Sequence, residues 1–311
     1  MKYKFMRSGA WLFNFQEAGQ SMLRRICGIF IIVMSTVSLV LAADTQSTGA
    51  GLSAAQIIDK NVAARGGLQA WRAVHTISLQ GKMGAGGNQR ATIAVPAPNV
   101  KGVANTFPRR RAEEAQLSFL LVMKRPRMVR VEVEFKGQTA VQVYDGAHGW
   151  KLRPFLNRSE VEPYSEEELR IASTQEDLDG PLVDYAAKGS RAELDGNETV
   201  DGHNCYRLKI TEKTGHSFRV WINAETFLES KIEGQPRRLD GTDHPVEIYY
   251  RDYRTVDGLQ IPFLMETRVL PVTKNALGLR DTPVPPERIV LDKVVLNPKL
   301  SDSAFLPPKT N

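Results

Sequence analysis

Two hydrophobic periods divide this chain at Val74, a helical one before it and a period of two after it. Ile57, Ile58 and Val62 form one apolar stripe at helical spacing. Ser53 and Gln56 frame its start as a capping box, and Leu52 before the cap is placed to staple onto Ile57. Gly66-Gly67 predicts its end. A second short helical piece around Leu68–Ala73 carries Trp71. Beyond Val74, Val129, Val131, Val133 and Phe135 alternate with Arg130, Glu132, Glu134 and Lys136. Gly137-Gln138 is the predicted hairpin turn, after which Val141 and Val143 resume the alternation. Asp145-Gly146 turns the chain again before a strand that carries Trp150.

Further strands are predicted at Tyr206/Leu208/Ile210, Phe218/Val220/Ile222, Leu228/Ile232, Val246/Ile248/Tyr250, Phe263–Leu270 and Arg288–Leu296. Short polar turns separate them and no βαβ rhythm intervenes, so the sheet is read as antiparallel and the class as mainly β (α+β). One helix interrupts the strands: Ser165 to Glu168 reads as a capping box with acid in the first turn, and the helix runs to about Ser173. Leu178, Leu182, Val183 and Tyr185 anchor the mixed stretch that follows, up to Lys188. Gly84–Arg90, Val95–Arg111 and Glu233–His244 read as loops. Leu117–Met123 is apolar at both parities, which predicts a strand covered on both faces.

The N-terminus changes the picture from fold to compartment. Arg24 and Arg25 precede an apolar run from Ile26 to Leu41, and Val40-Leu41-Ala42 supplies compact residues for cleavage. This is the pattern of a signal segment over residues 1–43, with Met22 a candidate start. The run falls short of the roughly 20 residues of a spanning helix, the competing reading. Neither Cys27 nor Cys205 lies in a lipobox, and the mature chain keeps Cys205 alone, so no internal disulfide forms. The net charge of +6 shrinks with the segment: taking five of 41 basic and one of 35 acidic residues leaves 36 against 34. That is an ordinary surface, which argues against a nucleic-acid partner. About 268 residues then remain for one domain, read as 52–307.

Candidate chemistry is sparse. The chain has no Gly-x-Ser-x-Gly elbow, no His-Glu-x-x-His and no Gly-x-Gly-x-x-Gly after a strand. Its five histidines lack metal-ligand spacing, and Asp177-Leu178-Asp179-Gly180 echoes only part of a calcium loop. Cys205 alternates with Arg207 and Lys209; a low-pKa thiol there competes with an inert strand cysteine. No enzyme, cofactor or metal is expected. What the sequence does offer is apolar. A strongly curved sheet with few helices must either fill its concavity or leave a pocket for an apolar guest. Phe119, Leu121, Val131, Val133, Trp150, Trp221 and Tyr250 are the candidate ligand-binding residues, with core packing as the competing role for each.

The C-terminal half carries a family resemblance. Arg219–Phe227 (RVWINAETF) is similar to a strand–turn–strand of the LolA/LolB-like superfamily. Tyr249–Phe263 (YYRDYRTVDGLQIPF) resembles that family's hairpin, in which Asp257-Gly258 turns the chain and Pro262 re-enters a strand. Leu296–Pro307 (LNPKLSDSAFLP) resembles its usual ending, and the opening helix with Gly66-Gly67-Leu68 suits the outer-membrane lipoprotein-sorting-like members. The resemblance spans Leu52 to Pro307. It implies a half-open antiparallel barrel draped over helices that act as a lid, with a hydrophobic cavity for acyl chains. It also implies a periplasmic carrier of acylated lipoprotein or lipid, meeting a membrane or a membrane-bound donor or acceptor transiently, as a monomer. The arginine that ties the lid helices shut in such carriers has no counterpart assigned from the sequence. Two other readings stand beside it: an envelope structural or regulatory protein that binds a protein partner, and a hydrolase with an unrecognised site.

Overall fold

The computed structural model describes residues 51–85, 115–154, 158–173, 177–239, 241–273 and 284–309. The signal segment and Val95–Arg111 lie outside these residues. Two helices come first, α1 (Ala54–Ala64) and α2 (Leu68–Arg72). The capping box is present: Gln56 N–H donates to Ser53 Oγ (3.3 Å) and Ser53 N–H to Gln56 Oε1 (2.9 Å). Gly66 and Gly67, at φ 112° and 93°, end α1 where an L side chain would be strained. The Gly67 N–H closes the turn on the Val62 carbonyl at 2.8 Å.

Thirteen strands among the described residues form one antiparallel sheet. The first meander is β1 (Thr76–Ala85), β2 (Ala115–Lys124), β3 (Met128–Phe135), β4 (Gln138–Tyr144), β5 (Gly149–Arg153) and β6 (Arg158–Pro163). Helix α3 (Glu166–Ser173) and a loop from Asp177 to Gly189 follow. The second meander is β7 (Arg191–Val200), β8 (His203–Thr211), β9 (Ser217–Asn223), β10 (Glu229–Leu239), β11 (Thr242–Val256), β12 (Leu259–Val269) and β13 (Glu287–Leu296). Pairing of β1 with β13 joins the meanders, leaving β6 and β7 as the two edges. The expected mainly β class is therefore found.

The sheet is curved and open. Helix α1, about 16 Å long, lies against edge strand β7. Its Asn61 donates to the Phe227 carbonyl before β10 (2.8 Å), while the Arg65 carbonyl accepts from Gln260 of β12 (3.1 Å). From β7 to β12 the sheet runs six strands, five spacings or about 24 Å if flat, so the sheet must wrap the helix. The inner face forms one core of α1, α2, the Asp177–Gly189 loop and alternate residues of most strands. Edge strands β6 and β7 are consecutive in the chain, so α3 and that loop cross the open side between them.

Several boundaries differ from the sequence reading. The hairpin turn after Phe135 is Lys136-Gly137, at φ 52° and 74°, and Gln138 pairs back with Phe135. A two-residue mirror-type turn needs two positive φ values, which fixes the turn one residue earlier. Glu233–His244 is not a loop: it is a hairpin in which Arg237 faces His244 and Leu239 faces Thr242 across a bulge after Gly234. Its polar side chains hid the strand, yet Arg237 is held by Glu287 of β13 at 2.6 Å. Gly84 and Ala85 belong to β1, while residues 86–90 of that predicted loop lie outside the described residues. Strands β6 and β7 were not foreseen, since as polar edges they show almost no buried alternation.

Leu117–Met123 is covered on both faces as expected. Phe119 and Leu121 enter the inner core, whereas Val122 packs on the outer face with Val141, Val143 and Phe305. Phe305 sits on a 3-10 turn (Asp302–Phe305) that follows β13 and lies against β3.

Candidate functional site

A cavity of about 110 Å³ opens on the inner face, beneath the loop that links the edge strands. That is several times the roughly 10–15 Å³ needed to hold one water. Leu79, Ile232, Ile261, Met265 and Leu291 rise from the sheet, and Leu178, Pro181 and Leu182 descend from the loop. Trp71 of α2 and Tyr250 of β11 complete the apolar wall. Leu182 and Val183 are fully buried, which makes them the anchors that hold the loop over the opening.

One end of the cavity is polar, and three residues build it: Arg65, Glu229 and Tyr253. Arg65 caps α1 with its side chain nine-tenths buried. Its Nη1 donates to Glu229 Oε1 (3.1 Å) and to the Asp179 carbonyl of the loop (3.2 Å). The guanidinium lies 4.4 Å over the Trp71 ring, whose Nε1 donates to the Arg65 carbonyl (3.2 Å). Arg65 therefore ties helix, loop and sheet together. Its Nε has no partner among the described residues. A buried donor left so costs about 1–3 kcal/mol.

Tyr253 donates to the Glu229 carbonyl (3.0 Å) and to its Oε2 (3.2 Å). Burial and the neighbouring Glu229 carboxylate push the phenol well above its ordinary value, so it acts as a donor and stays neutral. Strict alternation would send Tyr253 to the face opposite Tyr250. Asp252, at φ 52°, breaks the alternation between them and brings both rings to the cavity.

Behind the loop lies a second layer of charge. Asp179, with a side chain only 3% exposed, takes Arg125 Nη2 (2.6 Å) and Lys188 Nζ (2.6 Å). Arg125 also donates to the carbonyls of Val74 (2.9 Å) and Trp71 (3.4 Å). Asp177 lies 3.6 Å from both Lys188 and Arg127. The calcium-like run thus spends its carboxylates on the chain's own cations, and no group of three metal-ligating side chains occurs among the described residues. At the surface, Arg72 grips Asp184 (2.6 and 2.8 Å), which holds that carboxyl below its ordinary value despite the opposing effect of burial.

Of the seven residues singled out from sequence, the cavity takes Tyr250. Phe119, Leu121, Val131 and Val133 lie on the inner face, where they are buried in packed core away from the cavity wall. Trp150 packs in the outer cluster of β4 and β5. Trp221 packs outside as well, with Cys205 and Tyr249, under Lys231 at 4.1 Å from its ring. The period of two decides this: Val220 and Ile222 face the inner core, so Trp221 between them faces out. Cys205 is buried there, and burial pushes its thiol up, the direction of an inert cysteine. Sequence reasoning missed Arg65, Glu229 and Tyr253. For Arg65 a signal existed, because Asn61 and Arg65 occupy the same stripe as Ile57, Ile58 and Val62.

No helix among the described residues is long and apolar enough to cross a membrane. No protein-family model matches the sequence. The search of curated proteins likewise finds no match. Among solved structures, the chain is similar to a LolA superfamily protein from Nitrosomonas europaea, at 14% identity and a TM-score of 0.48, over 82% of this chain and 98% of that one. It is similar to a putative outer membrane lipoprotein-sorting protein domain from Vibrio parahaemolyticus, at 12% identity and 0.45, over 81% and 95%. A DUF1329 family protein from Desulfovibrio piger is similar at 14% identity and 0.45, over 80% and 95%.

Proposed function

We propose that this protein is a non-enzymatic carrier, exported to the periplasm, that shelters acyl chains of a lipoprotein or lipid in the cavity beneath its loop. One observation carries the reading: a largely apolar cavity that remains open on an inner face whose buried residues otherwise form one core. Leu79, Ile232, Ile261, Met265 and Leu291 would form the sheet side of the binding surface, with Tyr250 completing its apolar wall. Apolar burial contributes about 25 cal/mol per Å², so a guest enclosed there leaves slowly unless the loop opens. Release therefore requires the Asp177–Gly189 loop to part from Arg65 and Arg125. A protein-partner reading calls for a large exposed apolar patch. The large hydrophobics exposed among the described residues are Leu194, Val290 and Leu306, on three separate elements.

A fluorescent acyl probe tests this. Titration should give saturable binding at one site, and Leu79→Trp, which fills the cavity from β1, should abolish it while leaving the thermal transition cooperative. Probe binding that is unchanged in a folded Leu79→Trp protein would place the site elsewhere and overturn the reading.

A further inference from the structure

The size of the cavity limits the acyl guest proposed for it above. An apolar protein cavity of about 150 Å³ is filled by benzene, a six-carbon guest. The present one measures about 110 Å³, so about six carbons of a chain would fill it. It cannot lengthen under β2 and β3, because Phe119, Leu121, Val131 and Val133, each 5–6% exposed, already occupy the inner face there. Two chains side by side would not fit. We infer that the cavity takes one acyl chain at a time, methyl end first, over roughly its last six carbons, and leaves the head outside. The ligand class, given the carrier reading on which this rests, is an amphiphile engaged through a single chain with no requirement on its head.

The wall decides which end enters. Its charged members are Arg65 and Glu229, one cation and one carboxylate, paired at 3.1 Å. Tyr253 gives its hydroxyl to the same carboxylate at 3.2 Å. These groups satisfy one another. A head drawn in beside them would have to displace a member of a buried pair and leave a charge uncompensated. A head carried in without such a partner would lose its water with nothing to replace it. The lining residues that stay half-exposed, Leu79, Leu178, Pro181, Tyr250 and Met265 among them, mark the mouth and bear no charge. That entry favours a methyl end and offers no charge to select a head.

Straight-chain alcohols from butanol to dodecanol, competed against the fluorescent acyl probe on the full protein, measure the depth of the cavity. Affinity should rise roughly fourfold per methylene up to about hexanol and level off beyond it. Dodecanoate should match dodecanol. The diol 1,12-dodecanediol, which must bury a hydroxyl whichever end enters, should bind roughly tenfold more weakly or worse. Leu291→Ala removes three carbons from the wall and should move the break up the series by about that many. Ile261→Val, which removes one, repeats the test in a milder variant. An affinity that climbs steadily to dodecanol, a diol that binds like the alcohol, or a break that neither variant moves would overturn the inference and leave the carrier reading standing. If neither the probe nor any alcohol binds, the carrier reading falls, and the single-chain site with it.

Discussion

Replacing Arg65 removes a side chain that bonds the end of α1 to both the loop and β10. Arg65→Met leaves Glu229 buried without its cation, a change expected to destabilise by about 3–5 kcal/mol. Converting both, Arg65→Met with Glu229→Met, should cost less than the single change, because an apolar pair needs no counter-charge. Urea denaturation of the two variants checks this; equal losses would mean that the pair does not act as a unit. A second residue contributes to the acid response. Burial favours the protonated form of Glu266, but hydrogen bonds from Arg268 (2.7 Å) and Arg288 (3.0 Å) together outweigh it and lower its pKa. A lowered carboxyl contributes stability that is complete above its ordinary value of 4.5 and lost as pH falls through the lowered one. Melting curves below about pH 4.5 should therefore fall more steeply in the unaltered protein than in Glu266→Gln. At this scale the sequence was only partly legible. The stripe of Ile57, Ile58 and Val62 was visible, while Asn61 and Arg65 on the same stripe, being polar, were given no role. Their partners, Phe227 and Glu229, lie more than 160 residues away.

Elements were easier to read than residues, because period and turn chemistry act locally. The Ser165–Glu168 capping box forms as expected, with bonds of 2.7 and 3.2 Å. So does the Asp257-Gly258 turn, at φ 47° and 86°. Elements whose residues pair across distance were missed: β7 is a polar edge, and the β10–β11 hairpin is tied to β13 by the Arg237–Glu287 pair, which local pattern cannot reveal. The doubly apolar β2 announced two covered faces without saying what covers the second. Phe305, 1% exposed, is the answer. Phe305→Ala should destabilise by about 3–5 kcal/mol, whereas Leu306→Ala, at a side chain 57% exposed, should change little. Chemical denaturation of the pair decides the point, and similar small losses would show that the C-terminal turn is not part of the core. Gly81 marks another constraint between elements: a Cβ there would stand 2.1 Å from the Val290 carbonyl oxygen. Gly81→Ala must push β1 from β13, the one pairing that joins the two meanders, at a cost of about 1–3 kcal/mol.

Connectivity at the scale of the whole molecule gives the loop its work. Because β6 and β7 are both sheet edges and consecutive in the chain, their link closes the open side of the curved sheet. The same link carries Asp179, the point where Arg65, Arg125 and Lys188 converge. Arg125→Gln should therefore raise amide exchange across Asp179–Lys188 while the paired strands β8–β12 stay protected. Uniform acceleration would instead mean global destabilisation. Curvature was implied by the sequence through its many strands and few helices. Whether the concavity is filled was not, since that depends on how side chains from ten or more strands meet. Native mass spectrometry of the protein purified from a lipid-containing host tests the central claim most directly. The account predicts a bound acyl amphiphile, one per chain, lost on delipidation and regained with an added acyl probe. A bare mass that takes up no probe after delipidation would contradict it.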